Sequence, residues 1–306
     1  MKSILLAIDD YLQLRRGLGF KLREEGRVLQ DFAAFLQQRQ ATYITTRLAI
    51  QWATRPRNAC SAHWMRRLTM VRQFALYWSA HDPRTQVPPV GAIPGRYKRV
   101  RPYIYSDDEI RRLIAAAAEL RTTTGLRPAT YTTLFGLLSV TGMRAGEIIA
   151  LDRDDVDLER GILTIRRAKF GKSRLVPVHS STRRALRRYT DRRDRVYPRP
   201  STSSFFLGER GTRLTWWIVR WTFVQLSKQI GLRKPTDSHG PRLHDFRHRF
   251  AVQTLLGWYR TGVDVEQRIP LLATYLGHTH VTDTYWYLSA VPELMQLVVG
   301  RLETGT

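Results

Sequence analysis

Leu276-Gly277-His278 is followed nine residues later by Tyr287. Upstream lie His244-Asp245-Phe246-Arg247-His248 and, before them, Thr141-Gly142-Met143-Arg144-Ala145-Gly146-Glu147. Together these segments supply one phenol, two arginines and three histidines, in an order that suits covalent chemistry on a phosphodiester. Breaking a DNA strand without water needs a nucleophile in line with phosphorus, positive donors for the non-bridging oxygens, and a proton for the leaving 5′ oxygen. A tyrosine serves a reversible version, because phenoxide is a competent leaving group when the strand is resealed. Arginine clamps two non-bridging oxygens at once. Such a scheme requires no metal and no nucleotide, since the bond energy is kept in the phosphotyrosine.

Other readings compete at each position. With 50 basic residues in the chain, Arg144 by default is a surface arginine; its place after a Thr-Gly turn, with Glu147 three residues on, lifts it above that default. Glu147 reads as a residue that holds the helix and orients Arg144. His244 and His248 are four apart, the spacing of a metal pair on a helix, but no third ligand and no cysteine partner accompany them, and Arg247 between them would repel a cation. His248 therefore reads as a packing or supporting residue, and His280 as solvated. Tyr285 and Tyr287, two apart on a helix, face opposite ways, so one of them can reach a phosphate.

Several elements must position these residues. IDDYLQLRRGLGF, EEGRVLQDFAAFLQQR, TRLAIQWAT and SAHWMRRLTMVRQFALYWSA each show apolar residues at three- and four-residue spacing and predict an N-terminal helical bundle over residues 1–95. The segment HDPRTQVPPVGAIPGRYKRVRPYIY holds five of the 14 prolines and is otherwise polar and basic, which predicts a linker at 96–104. Residues 105–306 then read as mainly α with a small antiparallel β-sheet. Ser106 and Glu109 are spaced as a capping box. TYTTLFGLLSVTG predicts a helix ending at Gly142. GILTIRR and SRLVPV predict a β-hairpin around Ala168-Lys169-Phe170-Gly171-Lys172, and SFFLG a short strand. Further helices cover SSTRRALRRYTDRRDRV, LTWWIVRWTFVQLSKQIG, LHDFRHRFAVQTLLGWY and VPELMQLVVGRL, with two short ones carrying His278 and Tyr287.

The charge balance is lopsided: 50 Lys plus Arg against 26 Asp plus Glu, a net +24. Residues 1–95 hold 14 basic and 6 acidic side chains, residues 96–306 hold 36 and 20. Both parts therefore point to a polyanion partner, most often nucleic acid. A single cysteine excludes a disulfide framework or a cysteine metal cluster. No signal peptide and no run of 18 apolar residues is present, so a cytoplasmic protein without membrane or small-molecule partner is expected.

At these motifs the chain resembles the tyrosine recombinase family of phage integrases, Xer-type and Cre-type enzymes, over about residues 105–290, with a weaker likeness of the N-terminal bundle to the family's core-binding domain. The resemblance implies catalytic roles for Arg144, for His244 and Arg247 of the H-x-x-R box, for His278 of the L-G-H box and for Tyr287 as nucleophile, the nine-residue interval selecting it over Tyr285. Tyr285 is then expected to be buried. It implies a general-acid lysine in the hairpin; counting back from Arg174-Leu175-Val176-Pro177 favours Lys169, leaving Lys172 to backbone phosphate. It further implies site-specific recombination through a 3′-phosphotyrosyl intermediate and a Holliday junction, on double-stranded DNA with paired sites, by a homotetramer whose C-terminal helix is exchanged between subunits. A type IB topoisomerase and a catalytically silent DNA binder are the alternatives. The thirty residues between Arg247 and His278 are more than the family usually has and predict an extended helix or loop.

Overall fold

In the computed structural model, residues 3–95, 102–166, 173–237, 239–290 and 292–304 are described. The chain divides into two compact units, residues 1–100 and 101–306. The predicted linker falls largely, and the hairpin turn with Lys169 and Lys172 wholly, outside the described residues.

The first unit consists of α1 (Ile4–Gly17), α2 (Arg23–Gln38), α3 (Thr46–Ala53) and α4 (Ser61–Trp78). Side-chain caps start two of them: Ser3 Oγ accepts from the Leu6 amide and Thr45 Oγ1 from the Leu48 amide. The apolar stripes meet in one core around the fully buried Trp52, Phe32 and Phe74. The Trp52 indole donates to Asp31 (3.0 Å) and lies under the Arg67 guanidinium, 3.8 Å from the ring centroid.

The second unit opens with α5 (Asp107–Ala118), whose capping box is formed in both directions: Glu109 N donates to Ser106 Oγ and Ser106 N to Glu109 Oε2. It continues with α6 (Leu126–Thr141), α7 (Ala145–Ala150), strands β1 (Val156–Asp157), β2 (Ile162–Ile165) and β3 (Arg174–Pro177), then α8 (Ser180–Val196), α9 (Trp216–Gln229), α10 (Asp245–Arg260), α11 (Val265–Leu276), α12 (Thr282–Ala290) and α13 (Pro292–Thr304). The sheet is antiparallel in the order β1-β2-β3, with Leu163 opposite Val176 and Ile165 opposite Arg174. Two cores meet at α10. Phe246 stacks with Tyr105 and Phe135 in the cluster built on α6, while Ala251, Val252 and Leu255 belong to a second cluster with Leu272, Leu276, Tyr287 and Leu294. Arg247 and His248 therefore sit at the seam between two buried faces.

One sequence expectation needs adjustment. SFFLG makes isolated bridges rather than a strand, Asp152 with Ser204 and Leu207 with Arg213. Its buried backbone finds side-chain partners instead: Arg193 donates to Phe205 O, the Leu207 amide to Tyr189 Oη, and Thr130 Oγ1 to Leu207 O. The two-residue β1 carries no alternation long enough to reveal it. The long interval after Arg247 is filled by the rest of α10 and by α11, which starts with an Asp264 cap on the Gln267 amide. In the single chain α13 packs on its own unit, with Leu294 fully buried and Leu297 partly buried in the second cluster.

Candidate active site

Two helix ends build the arginine pair. Gly142 closes α6 at φ +60° and Gly277 closes α11 at φ +70°, both in the left-handed conformation that glycine enters without steric cost. The reversed chain aims each glycine carbonyl at one arginine. Gly142 O accepts from Arg247 Nη1 (3.2 Å), and Gly277 O accepts from Arg144 Nη2 (3.1 Å). At Gly142 there is no room for a methyl group, since a Cβ would come within 2.6 Å of the Phe250 ring. Gly142→Ala should therefore destabilise the fold by about 1–3 kcal/mol through backbone strain, and it should slow DNA cleavage by displacing Arg247. Thermal unfolding alongside a cleavage time course checks both; an unaltered Tm would contradict the packing described.

Arg144 precedes α7 as its N-cap residue, and Glu147 fixes it from the first turn. The Glu147 carboxylate accepts from the Arg144 amide (2.9 Å) and from Arg144 Nη1 (2.8 Å). The same carboxylate takes both terminal nitrogens of Arg174 from β3, at 3.0 and 2.7 Å, while Arg174 Nε donates to Tyr275 O. Burial alone would raise the Glu147 pKa; the bonds from Arg174 and Arg144 outweigh it and hold the carboxyl down to about 2. A carboxyl with a folded pKa below its unfolded value contributes stability above the unfolded value and loses it as the pH falls toward 2. The shift corresponds to on the order of 3 kcal/mol at neutral pH. Glu147→Gln should lower Tm at pH 7, with the gap to the unaltered protein closing below pH ~4.5. A gap that stays constant down to acid pH would contradict this.

Arg247 is 1% exposed. Its Nη2 is buried and makes no hydrogen bond among the described residues. Burial, then the neighbouring Arg144 charge, pull its pKa down to about 10, so it stays protonated at neutral pH. An enclosed guanidinium with an unused donor is an anion-binding group held ready.

The histidines and the tyrosine close the site. His244 is the residue before α10, and its ring meets His248 edge-on at 4.7 Å. Burial, then the charges of His248 and Arg247, lower its pKa to about 4. The side chain reaches solvent, so the contribution of the positive neighbours is the firmer of these causes. His278 follows Gly277; its Nδ1 is 2.7 Å from Thr284 Oγ1, and its ring lies parallel to that of Tyr287 at 6.4 Å. Tyr287 is 2% exposed, with its Oη 3.1 Å from His248 Nδ1, and its phenol bears electrostatically on Arg247.

The five described residues expected at the site, Arg144, His244, Arg247, His278 and Tyr287, thus come together; Lys169 lies outside the described residues. One expectation changes. Tyr285 is 44% exposed rather than buried: the two tyrosines do face opposite ways, but the inward face of α12 is the one that carries Tyr287 against α10. His248, expected as a packing or supporting residue, holds the Tyr287 hydroxyl. Arg174 and Asp245 were not singled out in the sequence. An arginine opposite Ile165, at a register position that points into the unit, was the available signal for Arg174.

The model of the Phage integrase family matches residues 104–293. The chain is 52% identical over 307 residues to y4rB of Sinorhizobium fredii (strain NBRC 101917 / NGR234), which carries an integrase/recombinase name, with 99% of this chain and 98% of that protein covered. It is 29% identical to tyrosine recombinase XerD of Caulobacter vibrioides, over 76% of this chain and 72% of XerD. Among solved structures, the Tn1549 transposon integrase in complex with transposon right end DNA aligns with a TM-score of 0.70 at 13% identity, covering 99% of this chain and all of that one. A lambda integrase dimer bound to a core site aligns at 0.62 and 17% identity, covering 92% and 97%. With its helical fold, its small antiparallel sheet and this convergence of arginines, histidines and one tyrosine, the chain belongs to the phage integrase family, the tyrosine recombinases.

Proposed function

We propose that Tyr287 attacks the scissile phosphodiester and becomes joined to the 3′ phosphate, releasing a 5′ hydroxyl, and that the reverse step onto a partner strand completes site-specific recombination through a Holliday junction. Arg144 and Arg247 take the non-bridging oxygens. His244 and His278 hydrogen-bond the same phosphate, and Lys169 protonates the leaving oxygen. The observation that carries this reading is the buried Arg247 guanidinium, with an unused donor, in electrostatic reach of a phenol and of Arg144. Family membership favours recombinase over the topoisomerase and silent-binder alternatives.

The DNA partner is supported by the net charge of +24, shared by both units, and by the DNA-bound state of structural neighbours. The N-terminal unit acts as a DNA-binding domain, joined through 96–104 to the catalytic unit. On two synapsed sites four copies assemble, with α13 passing from its own unit to a neighbour. No described helix is long and apolar enough to cross a membrane, and a cytoplasmic enzyme acting on DNA fits that.

A nicked suicide duplex, selected for binding from a random pool, should trap a covalent protein–DNA adduct in excess EDTA, because arginines rather than a divalent ion meet the phosphate charge. Two such sites should exchange strands. Adduct formation only with added metal would overturn the metal-free chemistry, and relaxation of supercoils without exchange would restore the topoisomerase reading.

A further inference from the structure

The placement of His248 assigns a further catalytic group to this site. We propose that His248 takes the phenol proton of Tyr287 when the strand is cleaved and returns it when the strand is rejoined, with the Asp245 carboxylate stabilising the imidazolium in between. This rests on the reading of Tyr287 as the nucleophile and deepens it.

A phenol is a weak nucleophile until its proton leaves, so the atom that touches its oxygen decides how that happens. That atom is His248 Nδ1, at 3.1 Å. The pair is enclosed, with Tyr287 2% and His248 8% exposed. The geometry is rigid: the two rings meet at 5.5 Å with a 62° interplanar angle, and Trp286 closes the imidazole from another side at 5.6 Å.

The other end of the imidazole meets a carboxylate. Asp245 Oδ1 is 3.9 Å from His248 Nε2. Asp245 is itself 1% exposed and pinned by the Arg242 amide (2.7 Å) and by Arg242 Nη2 (3.0 Å). A fixed negative charge at that distance favours the protonated imidazole, less strongly for being shared with Arg242. The arrangement of carboxylate, imidazole and hydroxyl follows the same logic that activates other hydroxyl nucleophiles.

His248 is faced by His244, just before the helix, whose charge opposes its own, and by Asp245 in the first turn, which favours the imidazolium; Arg247 and Arg144 act on His244 beside it. Tyr287 faces His248 from α12, and the His278 ring is stacked with the phenol ring at 6.4 Å. His278 is less suited to the same task, since its Nδ1 is engaged with Thr284 Oγ1 and its ring is parallel to the phenol rather than directed at the hydroxyl.

In the step, the O–H bond of Tyr287 breaks and an N–H bond forms at His248 Nδ1, the electron pair staying on oxygen. That oxygen bonds to phosphorus while the bond from phosphorus to the 5′ oxygen breaks, the leaving oxygen receiving its proton from a separate acid. On rejoining, the 5′ hydroxyl bonds to phosphorus and gives its proton back to the separate acid, while the phenoxide leaves phosphorus and recovers the proton from His248. Protons and electrons balance without an added reactant.

The test leaves the fold untouched. Single-turnover cleavage of the nicked suicide duplex is followed against pH, once with Tyr287 and once with a fluorotyrosine of more acidic phenol incorporated at position 287. With His248 as the base, the acid limb of the profile belongs to the imidazole and should stay at the same pH in both. If the limb moves down with the phenol pKa, the proposal is overturned. His248→Asn, whose amide can occupy the Nδ1 position but cannot take a proton, should slow cleavage about 10²-fold or more, and fluorotyrosine should recover most of that loss. A His248→Asn protein that folds and cleaves within threefold of the unaltered one would also overturn it. Tyr287→Phe is the control: persistence of adduct there would mean that the nucleophile, not the proton acceptor, had been misassigned.

Discussion

Tyr287→Phe should bind DNA as the unaltered protein does and form no covalent adduct, a loss on the order of 10³-fold or more. One oxygen is removed and the ring that packs against Trp286 and His278 is kept. The cost in stability should be about 1 kcal/mol, since His248 Nδ1 loses the phenol as a partner. Gel shift, adduct trapping and thermal unfolding separate these three effects. Tyr285→Phe should cleave normally, because that side chain is exposed on the opposite face of α12. Adduct formation by the Tyr287 variant would sink the assignment of the nucleophile.

Arg247→Met should lose cleavage by about 10²–10³-fold without losing stability. The guanidinium is enclosed, its pKa is held below the ordinary value by burial and by Arg144, and one of its donors is unused. A charge in that position is disfavoured in the folded protein, so an apolar side chain of similar length should leave Tm unchanged or raise it. Binding to DNA should fall far less than cleavage, since many other cations contact phosphates. The measurement is a paired one, Tm and single-turnover rate on the same preparation. A protein that unfolds earlier and still cleaves would show Arg247 to be structural.

Much of this site could be read from residue order because its parts lie at helix boundaries that short-range chemistry specifies. Ser106 and Glu109 announce α5 by reciprocal capping, and Gly142 announces the end of α6 by its left-handed turn, as Gly277 does for α11 in the structure. The hairpin was legible from β-branched runs, and its register then follows from the burial of Leu163, Ile165 and Val176. The rest depends on contacts that the sequence does not encode locally. Whether Tyr285 or Tyr287 turns inward is decided by α10, 39 residues upstream of Tyr287, where His248 waits for the hydroxyl. Arg174 joins Glu147 across 27 residues, and no spacing rule connects them. SFFLG looked like a strand because its residues are apolar and aromatic; it is buried for that reason, but Arg193, Tyr189 and Thr130 serve its backbone in place of a neighbouring strand. The outer face of α9 shows the converse: Trp216, Trp217 and Trp221 are 43%, 74% and 54% exposed, where composition alone would have placed them inside.

The most direct test of the account is to locate the bond itself. The adduct trapped on the suicide duplex is digested with nuclease and protease, and the nucleotide-bearing peptide is sequenced by mass spectrometry. The phosphoryl group should sit on Tyr287, within the peptide of α12, joined to the 3′ end of the cleaved strand. A modified Tyr285, a modified serine, or a 5′ linkage would contradict the placement of the reaction between Arg144, Arg247 and Tyr287.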